Sequence, residues 1–250
     1  MALSWSDRRK TLYYAVAGVI ALLVLGTVWR VFFVHTPTCF DGVRNGLELG
    51  IDCGGACSLI CTDQAKAPTV LWARSFEIAS STYTAAAYIQ NPNSGAGARA
   101  ARYSFQLFDD KNILVVAKDG VVDLPPVRTI PIIEAGIDVG HRTVARTLFS
   151  FSALPAWDTV TAPIPVLHLT QQNLSQDASR LSANVVNDSA QDAERVVIAV
   201  VLFDGSGVAR AASKTTIASL PRKASKPIVF TWPGGVPGIV RAEMTILPAF

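Results

Sequence analysis

The chain has 250 residues, of which 50% are hydrophobic and only 16% are charged. Soluble domains carry about 25% charged residues, so this composition indicates that part of the chain avoids water. The formal net charge is +3, and four of the 22 basic residues lie within residues 1–35, which leaves the remainder close to neutral. Nucleic-acid binding requires a basic face, so no nucleic-acid partner is expected.

An uncharged stretch, TLYYAVAGVIALLVLGTVW, runs from Thr11 to Trp29. As a helix it would be about 28 Å long, which is close to the hydrocarbon thickness of a bilayer. Residues 11–34 are therefore predicted to be a transmembrane helix, with the lipid bilayer as its partner. Three basic residues at 8–10 precede the stretch, so the positive-inside rule predicts a single-pass protein of the cell membrane with residues 1–10 in the cytoplasm and the C-terminal domains outside.

A cleaved signal peptide is the alternative interpretation of the same stretch. Its apolar region would typically be 7–15 residues long, and this one is longer. The following segment, VFFVHTPTC, also lacks a clear cleavage site with small residues. The sequence therefore favours an uncleaved signal anchor.

All four cysteines lie close together after the apolar stretch, at Cys39, Cys53, Cys57 and Cys61. An even number of cysteines in an exported segment predicts disulfides, and the spacing does not choose among the three pairings. A four-cysteine zinc site is the alternative, although the usual CxxC pairs are absent. Residues 35–67 are predicted to be a Cys-rich module followed by a linker.

Four side chains with hard oxygen atoms lie in this module, at Asp41, Asn45, Glu48 and Asp52. Calcium takes six to eight such ligands, so a calcium site is one alternative, although the spacing is not that of an EF-hand. The favoured interpretation is that these side chains form Asx-turns and cap the backbone. No metal or other cofactor is assigned.

The string CxDGxxNGxExxxDCGGxC, which runs from Cys39 to Cys57, resembles a DCGG-type Cys-rich module of bacterial surface and secreted proteins. In those proteins the module often lies beside an anchor or between β-domains. The resemblance implies placement outside the cytoplasm and no catalytic activity.

Residues 69–250 contain short β-rich runs separated by Gly, Pro and Asn, a pattern typical of an all-β fold. Three features occur twice in the same order, which indicates an internal repeat. The corresponding positions are Asn91 with Asn187, Leu107-Phe108-Asp109 with Leu202-Phe203-Asp204, and Leu124-Pro125 with Leu220-Pro221. The fold class is therefore predicted to be all-β, with two tandem β-sandwiches at 68–156 and 157–250.

Polar and apolar residues alternate over Tyr103–Leu107, which predicts a strand with one buried face. The corresponding run, Ile198–Leu202, is apolar at every position, so that strand is expected to be covered on both faces, by the other domain. Asp109 and Asp204 follow these strands and are expected to accept backbone N–H groups in hairpin turns.

The run Phe105–Asp109 resembles the Phe-x-Leu-Tyr-Asp signature of the FxLYD domain, and Asn91–Asn93 is similar to the Asn-Pro-Asn of the late-embryogenesis-abundant sandwich. These resemblances imply immunoglobulin-like sandwiches that mediate adhesion, assembly or envelope spacing without a cofactor. The order of anchor, Cys-rich module and paired sandwiches resembles membrane-anchored envelope proteins of candidate-phyla bacteria.

No phosphate-binding loop, HExxH motif or nucleophile elbow is present in the sequence, so no catalytic residue is assigned and no enzyme is expected. The predicted function is non-catalytic binding or scaffolding in the cell envelope, with an envelope protein or a cell-surface polymer as partner. Two alternatives stay open: a subunit of a secretion or pilus-like assembly, and a cell-wall hydrolase with carboxylates such as Glu134 and Asp138 in a cleft between the sandwiches.

Overall fold

The computed structural model describes residues 5–33, 37–126, 128–161, 163–247 and 249. The chain divides into two compact units, residues 1–57 and 58–250. The first contains one apolar helix, and the second is built from antiparallel β-sheets. The predicted fold class, mainly β after one N-terminal apolar helix, is confirmed.

The helix α1 runs from Trp5 to Phe33 and has 29 residues, so it is about 43 Å long. Its segment Arg8–Val31 is long and apolar enough to cross a membrane, with a mean hydropathy of 2.1, and none of it is buried. Leu, Val and Ile side chains are exposed along its length. A helix that is apolar all round has no polar face to turn toward water.

The second unit contains thirteen strands among its described residues. The first seven are β1 (Thr69–Ala79), β2 (Thr82–Gln90), β3 (Ala96–Phe108), β4 (Leu114–Leu124), β5 (Thr129–Asp138), β6 (Arg146–Phe151) and β7 (Asp158–Thr159). The other six are β8 (Leu167–Leu174), β9 (Arg180–Asn187), β10 (Ala193–Asp204), β11 (Ala209–Leu220), β12 (Ser225–Thr231) and β13 (Ile239–Leu247).

These strands form four sheets with two matching orders. The sheets of the first half are β1-β2-β5 and β4-β3-β6, and those of the second half are β8-β9-β12 and β11-β10-β13. Replacing each strand of the first half by the strand seven places later reproduces the second half. We call β1–β7 the first sandwich and β8–β13 the second sandwich.

Each sandwich encloses its own apolar core between its two sheets. The first core includes Ile89, Phe105, Leu107, Leu124 and Ile130. The second core includes Val185, Val196, Ile198, Val200 and Leu202. All ten side chains are at most 1% exposed, so these residues supply the main burial of apolar surface in each sandwich.

The predicted alternation in β3 is confirmed. Tyr103, Phe105 and Leu107 are buried, whereas Ser104 and Gln106 are half-buried on the opposite face. A strand with side chains of period two has this pattern when only one face packs against a core.

The two predicted hairpin turns have the same hydrogen bonds. Asp109 Oδ1 accepts the backbone N–H groups two and four residues later, at 3.0 and 2.8 Å. Asp204 Oδ1 does the same at 3.0 and 2.9 Å. The third residue after each aspartate, Asn112 or Gly207, has a positive φ, which Asn and Gly tolerate. Both aspartates therefore hold turns, as the sequence predicts.

Asn91 is buried at the end of β2 and connects three segments of the first sandwich. Its Nδ2 donates to the carbonyl groups of Ala96 at 2.9 Å and Pro125 at 2.8 Å. Its side-chain oxygen accepts the backbone N–H of Asn93 at 2.9 Å. A buried amide with hydrogen-bond partners on both its nitrogen and its oxygen stabilises a loop that lies outside the strand pairing.

Asn187 is buried at the matching end of β9 and makes the same types of contact. Its Nδ2 donates to the carbonyl groups of Gln191 at 2.9 Å and Leu220 at 3.0 Å, and its oxygen accepts the backbone N–H of Ser189 at 3.0 Å. Asn187 therefore holds the loop after β9 in the way that Asn91 holds the loop after β2.

The first sandwich includes contacts on both sides of the stretch predicted for it. Ile60 N donates to the carbonyl of Trp157 at 2.7 Å, and Trp157 is buried in the first core. The strand β7 pairs with the start of β3. Residues 157–159 therefore pack with the first sandwich, a few residues beyond the boundary predicted at 156, because Trp157 fills its core.

Candidate functional site

The two sandwiches pack against each other through the sheets β1-β2-β5 and β11-β10-β13. A third apolar cluster lies between these sheets and contains Phe76, Ala86, Ile133, Ala199, Val201, Phe203, Ala209 and Ala212. The strand β10 therefore has the core of the second sandwich on one face and the first sandwich on the other. This confirms the prediction that it is covered on both faces.

Small and aromatic side chains alternate in this interface. Ala86 and Ala199 are at most 1% exposed and let the two sheets approach closely. Beside them, the rings of Trp72 and Tyr88 stack with centroids 4.8 Å apart, and Tyr88 meets the edge of Phe203 at 6.4 Å. This apolar packing joins the two sandwiches into one compact unit, residues 58–250.

A cleft of about 280 Å³ lies between the two sandwiches at this interface. Apolar side chains from both sandwiches line most of it: Val121, Val122, Ile132, Ile133, Val197, Ala199 and Leu247. Its polar lining residues are Tyr103, Asp123, Arg195, Lys214 and Thr216. The volume is near the lower limit of small-molecule pockets.

Glu134 joins the two sandwiches beside this cleft. Tyr103 Oη donates to Glu134 Oε1 at 2.5 Å, and Lys214 Nζ, from the second sandwich, donates to the same oxygen at 3.2 Å. Burial raises the pKa of Tyr103 well above its usual value, and the hydrogen bond to Glu134 raises it further. The phenol stays protonated and acts as a donor at neutral pH.

Gly120 of the strand β4 lies directly against the phenol ring of Tyr103. A Cβ at Gly120 would lie 2.4 Å from Tyr103 Oη, which is a severe overlap. Only a residue without a side chain leaves space for the ring to reach Glu134, so Gly120 has a positioning role here.

A second tyrosine–carboxylate contact joins the sandwiches at the other part of the interface. Tyr88 Oη donates to Glu243 Oε2 at 2.8 Å. Glu243 forms an ion pair with Arg241, whose guanidinium lies 4.5 Å from the ring centroid of Phe203. Burial, followed by the hydrogen bond to Glu243, raises the pKa of Tyr88.

A third polar contact between the sandwiches is the ion pair of Arg195 with Asp123, at 2.7 Å. Asp123 also accepts the backbone N–H of Ala100 at 2.8 Å. The Arg195 side chain is 67% exposed, so the pair contributes little to stability.

The two carboxylates considered for hydrolysis have separate partners. Glu134 contacts Tyr103 and Lys214, as described above. Asp138 lies at the end of β5, where its Oδ1 accepts the backbone N–H of Gly140 at 2.8 Å. Glu134 therefore has the role of an ion-pair partner, and Asp138 has the role of a turn cap.

Sequence reasoning did not identify Tyr88, Tyr103, Lys214 or Glu243 as interface residues. One available signal was the run Thr84–Ala87, whose residues are all at most 2% exposed. A strand with small apolar residues at successive positions is buried on both faces, as Ile198–Leu202 is. The polar partners have no comparable local pattern.

The cysteines of the Cys-rich module are oxidised, as predicted. Cys39 and Cys57 form a disulfide with a Cα–Cα distance of 5.6 Å, and Cys53 and Cys61 are also disulfide-bonded. No free cysteine occurs among the described residues. Zinc binds thiolates, so cysteines in disulfides do not provide the alternative zinc site.

The candidate calcium ligands cap the backbone of the module. Asp52 carboxylate oxygens accept the N–H groups of Asp41 and Gly42 at 2.9–3.1 Å. Glu48 Oε2 accepts those of Asn45 and Asp52, both at 3.3 Å.

Asp41 has the same role, since it accepts the N–H of Val43 at 3.0 Å and the Nδ2–H of Asn45 at 2.9 Å. The contact with Asn45, followed by that with Val43, lowers the pKa of Asp41. These contacts are the Asx-turns and caps that the sequence favours, and calcium binding stays the alternative interpretation.

No protein family and no curated protein matches the sequence. Among solved structures, red sea bream transglutaminase aligns with 74% of this chain and 29% of its own, at 9% identity and a TM-score of 0.23. The chain thus spans less than a third of that enzyme. A similarity at this TM-score supports no inference about fold or activity.

Proposed function

We propose that this chain is a single-pass membrane protein of the cell envelope, and that its β unit is a non-catalytic binding or scaffolding arm outside the membrane. The observation that carries the proposal is α1, in which the predominantly apolar segment Arg8–Val31 has no buried residue. Exposed apolar surface on that scale is unfavourable in water and favourable in a bilayer.

Two observations support an outside location for the β unit. Arg8, Arg9 and Lys10 precede the apolar segment, whereas Arg30 alone follows it closely, which favours a cytoplasmic N-terminus. The disulfides of the module also belong to an oxidising compartment.

The matching halves of the β unit support the interpretation as tandem immunoglobulin-like sandwiches of the FxLYD type. Their sheets have equivalent orders, and the pairs Asn91 with Asn187 and Asp109 with Asp204 have equivalent hydrogen bonds. Their shared apolar interface joins them into one compact unit, which suits an arm that holds a partner protein or surface polymer at a distance from the membrane.

The contacts of Glu134 favour this non-catalytic role over a hydrolase. Glycoside hydrolysis uses two carboxyl groups that flank the scissile bond. Here Glu134 is engaged by Tyr103 and Lys214, and Asp138 caps a turn.

Thiol labelling tests the topology directly. Because the native cysteines are disulfide-bonded, a single introduced thiol reports its own accessibility. Ser4→Cys and Ala153→Cys are made in the full-length protein and exposed to a membrane-impermeant maleimide in right-side-out vesicles. We expect labelling at 153 but not at 4, and the reverse pattern in inverted vesicles.

Deletion of residues 11–34 provides the matched control. It should move the protein from the membrane fraction to the soluble fraction. Labelling at position 4 but not at 153 in right-side-out vesicles would reverse the topology. Membrane retention of the deletion variant would contradict anchoring by α1.

A further inference from the structure

Residues 37–57, the described part of the Cys-rich module that belongs to the first compact unit, expose an unusual amount of apolar surface. Their exposed large side chains are Phe40 (88%), Val43 (58%), Leu47 (80%), Leu49 (54%) and Ile51 (63%). The described part of the much longer β unit, 58–250, exposes eleven such side chains in all. Isolated exposed apolar residues are normal, whereas a concentration of them indicates an interaction surface.

Three polar side chains of the module are less exposed than these apolar ones. Asn45, Glu48 and Asp52 are half-buried and are occupied by backbone or side-chain contacts within the module. The Cys39–Cys57 disulfide closes this arrangement. Two of the three carboxylates of the module are thus half-buried and paired within it, whereas Asp41 and the large apolar side chains are exposed. A concentration of exposed apolar side chains suits apolar surroundings better than water.

The module also begins next to the membrane segment. The helix ends at Phe33, six residues before Cys39, and an extended chain spans at most about 3.6 Å per residue, so Cys39 lies within about 22 Å of the helix end. The helix itself is about as long as the hydrocarbon core plus both headgroup layers, about 40–45 Å.

We propose that the Cys-rich module docks on the outer surface of the same bilayer and inserts apolar side chains such as Phe40, Leu47 and Ile51 at the boundary of headgroups and acyl chains. The proposal rests on the proposed anchoring by α1. The module has three acidic residues and one base, Arg44, so anionic headgroups oppose insertion and zwitterionic lipid favours it. Such docking would fix the distance from the membrane, and the direction, at which the chain continues beyond the Cys-rich module.

Fluorescence quenching in vesicles tests this docking. The full-length protein carries Leu47→Cys with an environment-sensitive label and is reconstituted into phosphatidylcholine vesicles. Ala153→Cys, on the β unit, is the matched control, and mass analysis checks that the native disulfides are retained. We expect a lipid-borne spin label near the headgroups to quench position 47 about threefold more than position 153, with protection from aqueous iodide.

Two further measurements sharpen the result. Adding anionic phosphatidylglycerol should reduce quenching at position 47 by lipid. A second protein carries the label at Ile51→Cys. There, the substitutions Phe40→Ser and Leu47→Ser together should reduce the quenching of the label at position 51 by the lipid-borne spin label. Quenching by iodide equal to that at position 153 would overturn the proposal. Protection from both quenchers would also overturn it, because the module would then be covered by protein.

Flotation of the same vesicles separates this proposal from the anchor. A protein that floats with the vesicles but has position 47 in water contradicts only the docking. A protein that does not float contradicts anchoring by α1, and the docking with it.

Discussion

The two sandwiches contact each other through different sheets, although their strands are connected in the same order. The first uses β1-β2-β5, and the second uses β11-β10-β13, which corresponds to β4-β3-β6 of the first. The pair is therefore stacked front to back rather than face to matching face. The two sandwiches have the same strand connectivity and similar, separate apolar cores. Their outer faces differ according to what covers them.

The central strands β3 and β10 illustrate this difference. Ser104 and Gln106 on the outer face of β3 correspond to Ala199 and Val201 of β10. The first two are half-buried, and the second two are at most 1% exposed because the first sandwich lies over them.

The strands β2 and β9 show the inverse relation. Ala86 of β2 is fully buried in the interface, whereas the corresponding residue of β9, Ser182, is half-buried on an outer face. Each sandwich has thus become apolar on the one sheet that meets the other.

The largest expected effect comes from a charge in the interface. Val201→Glu places a carboxylate at a fully buried position without a partner, and should lower the free energy of unfolding by about 3–5 kcal/mol. Gln106→Glu, at the corresponding position of β3, should change it by about 0.5 kcal/mol or less. Urea unfolding of the full-length protein in detergent measures both. Equal losses would contradict the one-sided coverage of β3.

The buried asparagines test the equivalence of the sandwiches. Asn91→Asp and Asn187→Asp each replace an amide N–H donor by an oxygen that faces two carbonyl groups, and each should cost about 2–3 kcal/mol. The same unfolding measurement is used. A large loss at one position with none at the other would show that the two residues do not have equivalent structural roles.

Overpacking tests the close approach of the sheets. Ala86→Leu adds three carbon atoms where the interface has no space, and should cost about 1–3 kcal/mol. Ser182→Leu, the matched change on the open face of β9, should be close to neutral. If the stabilities measured by urea unfolding fall in the opposite order, the assignment of inner and outer faces is wrong.

The smallest expected effect concerns the contact between Tyr103 and Glu134. Tyr103→Phe should cost about 1 kcal/mol at neutral pH, because one buried hydrogen bond is lost. The pKa of Tyr103 is raised in the folded state, so its stabilising contribution is complete below the unfolded value of about 10 and is lost as pH rises above it.

The pH dependence of unfolding distinguishes this role from simple packing. From pH 8 to 11.5, the variant should lose less stability than the parent protein, because one phenol no longer ionises on unfolding. Parallel pH profiles for the two proteins would contradict the pKa shift.

Local patterns in the sequence predicted much of this molecule. Residues 11–29 predict an apolar helix because length and composition decide whether a segment suits a bilayer. The alternation of Tyr103–Leu107 and the Asp109 and Asp204 turns follow from strand periodicity and turn dihedrals, which depend on a few neighbouring residues. The oxidised state of the cysteines was likewise predicted from their number and compartment.

The tertiary structure decided which surfaces meet. The continuous apolar run in β10 indicates that both of its faces are covered. The docking of the two sandwiches determines that the sheet β1-β2-β5 covers one of these faces. Tyr103, Glu134 and Lys214 converge for the same reason, since they are separated by up to 111 positions in sequence. Such contacts depend on the relative position of whole sheets, to which the residues around each partner contribute no local pattern.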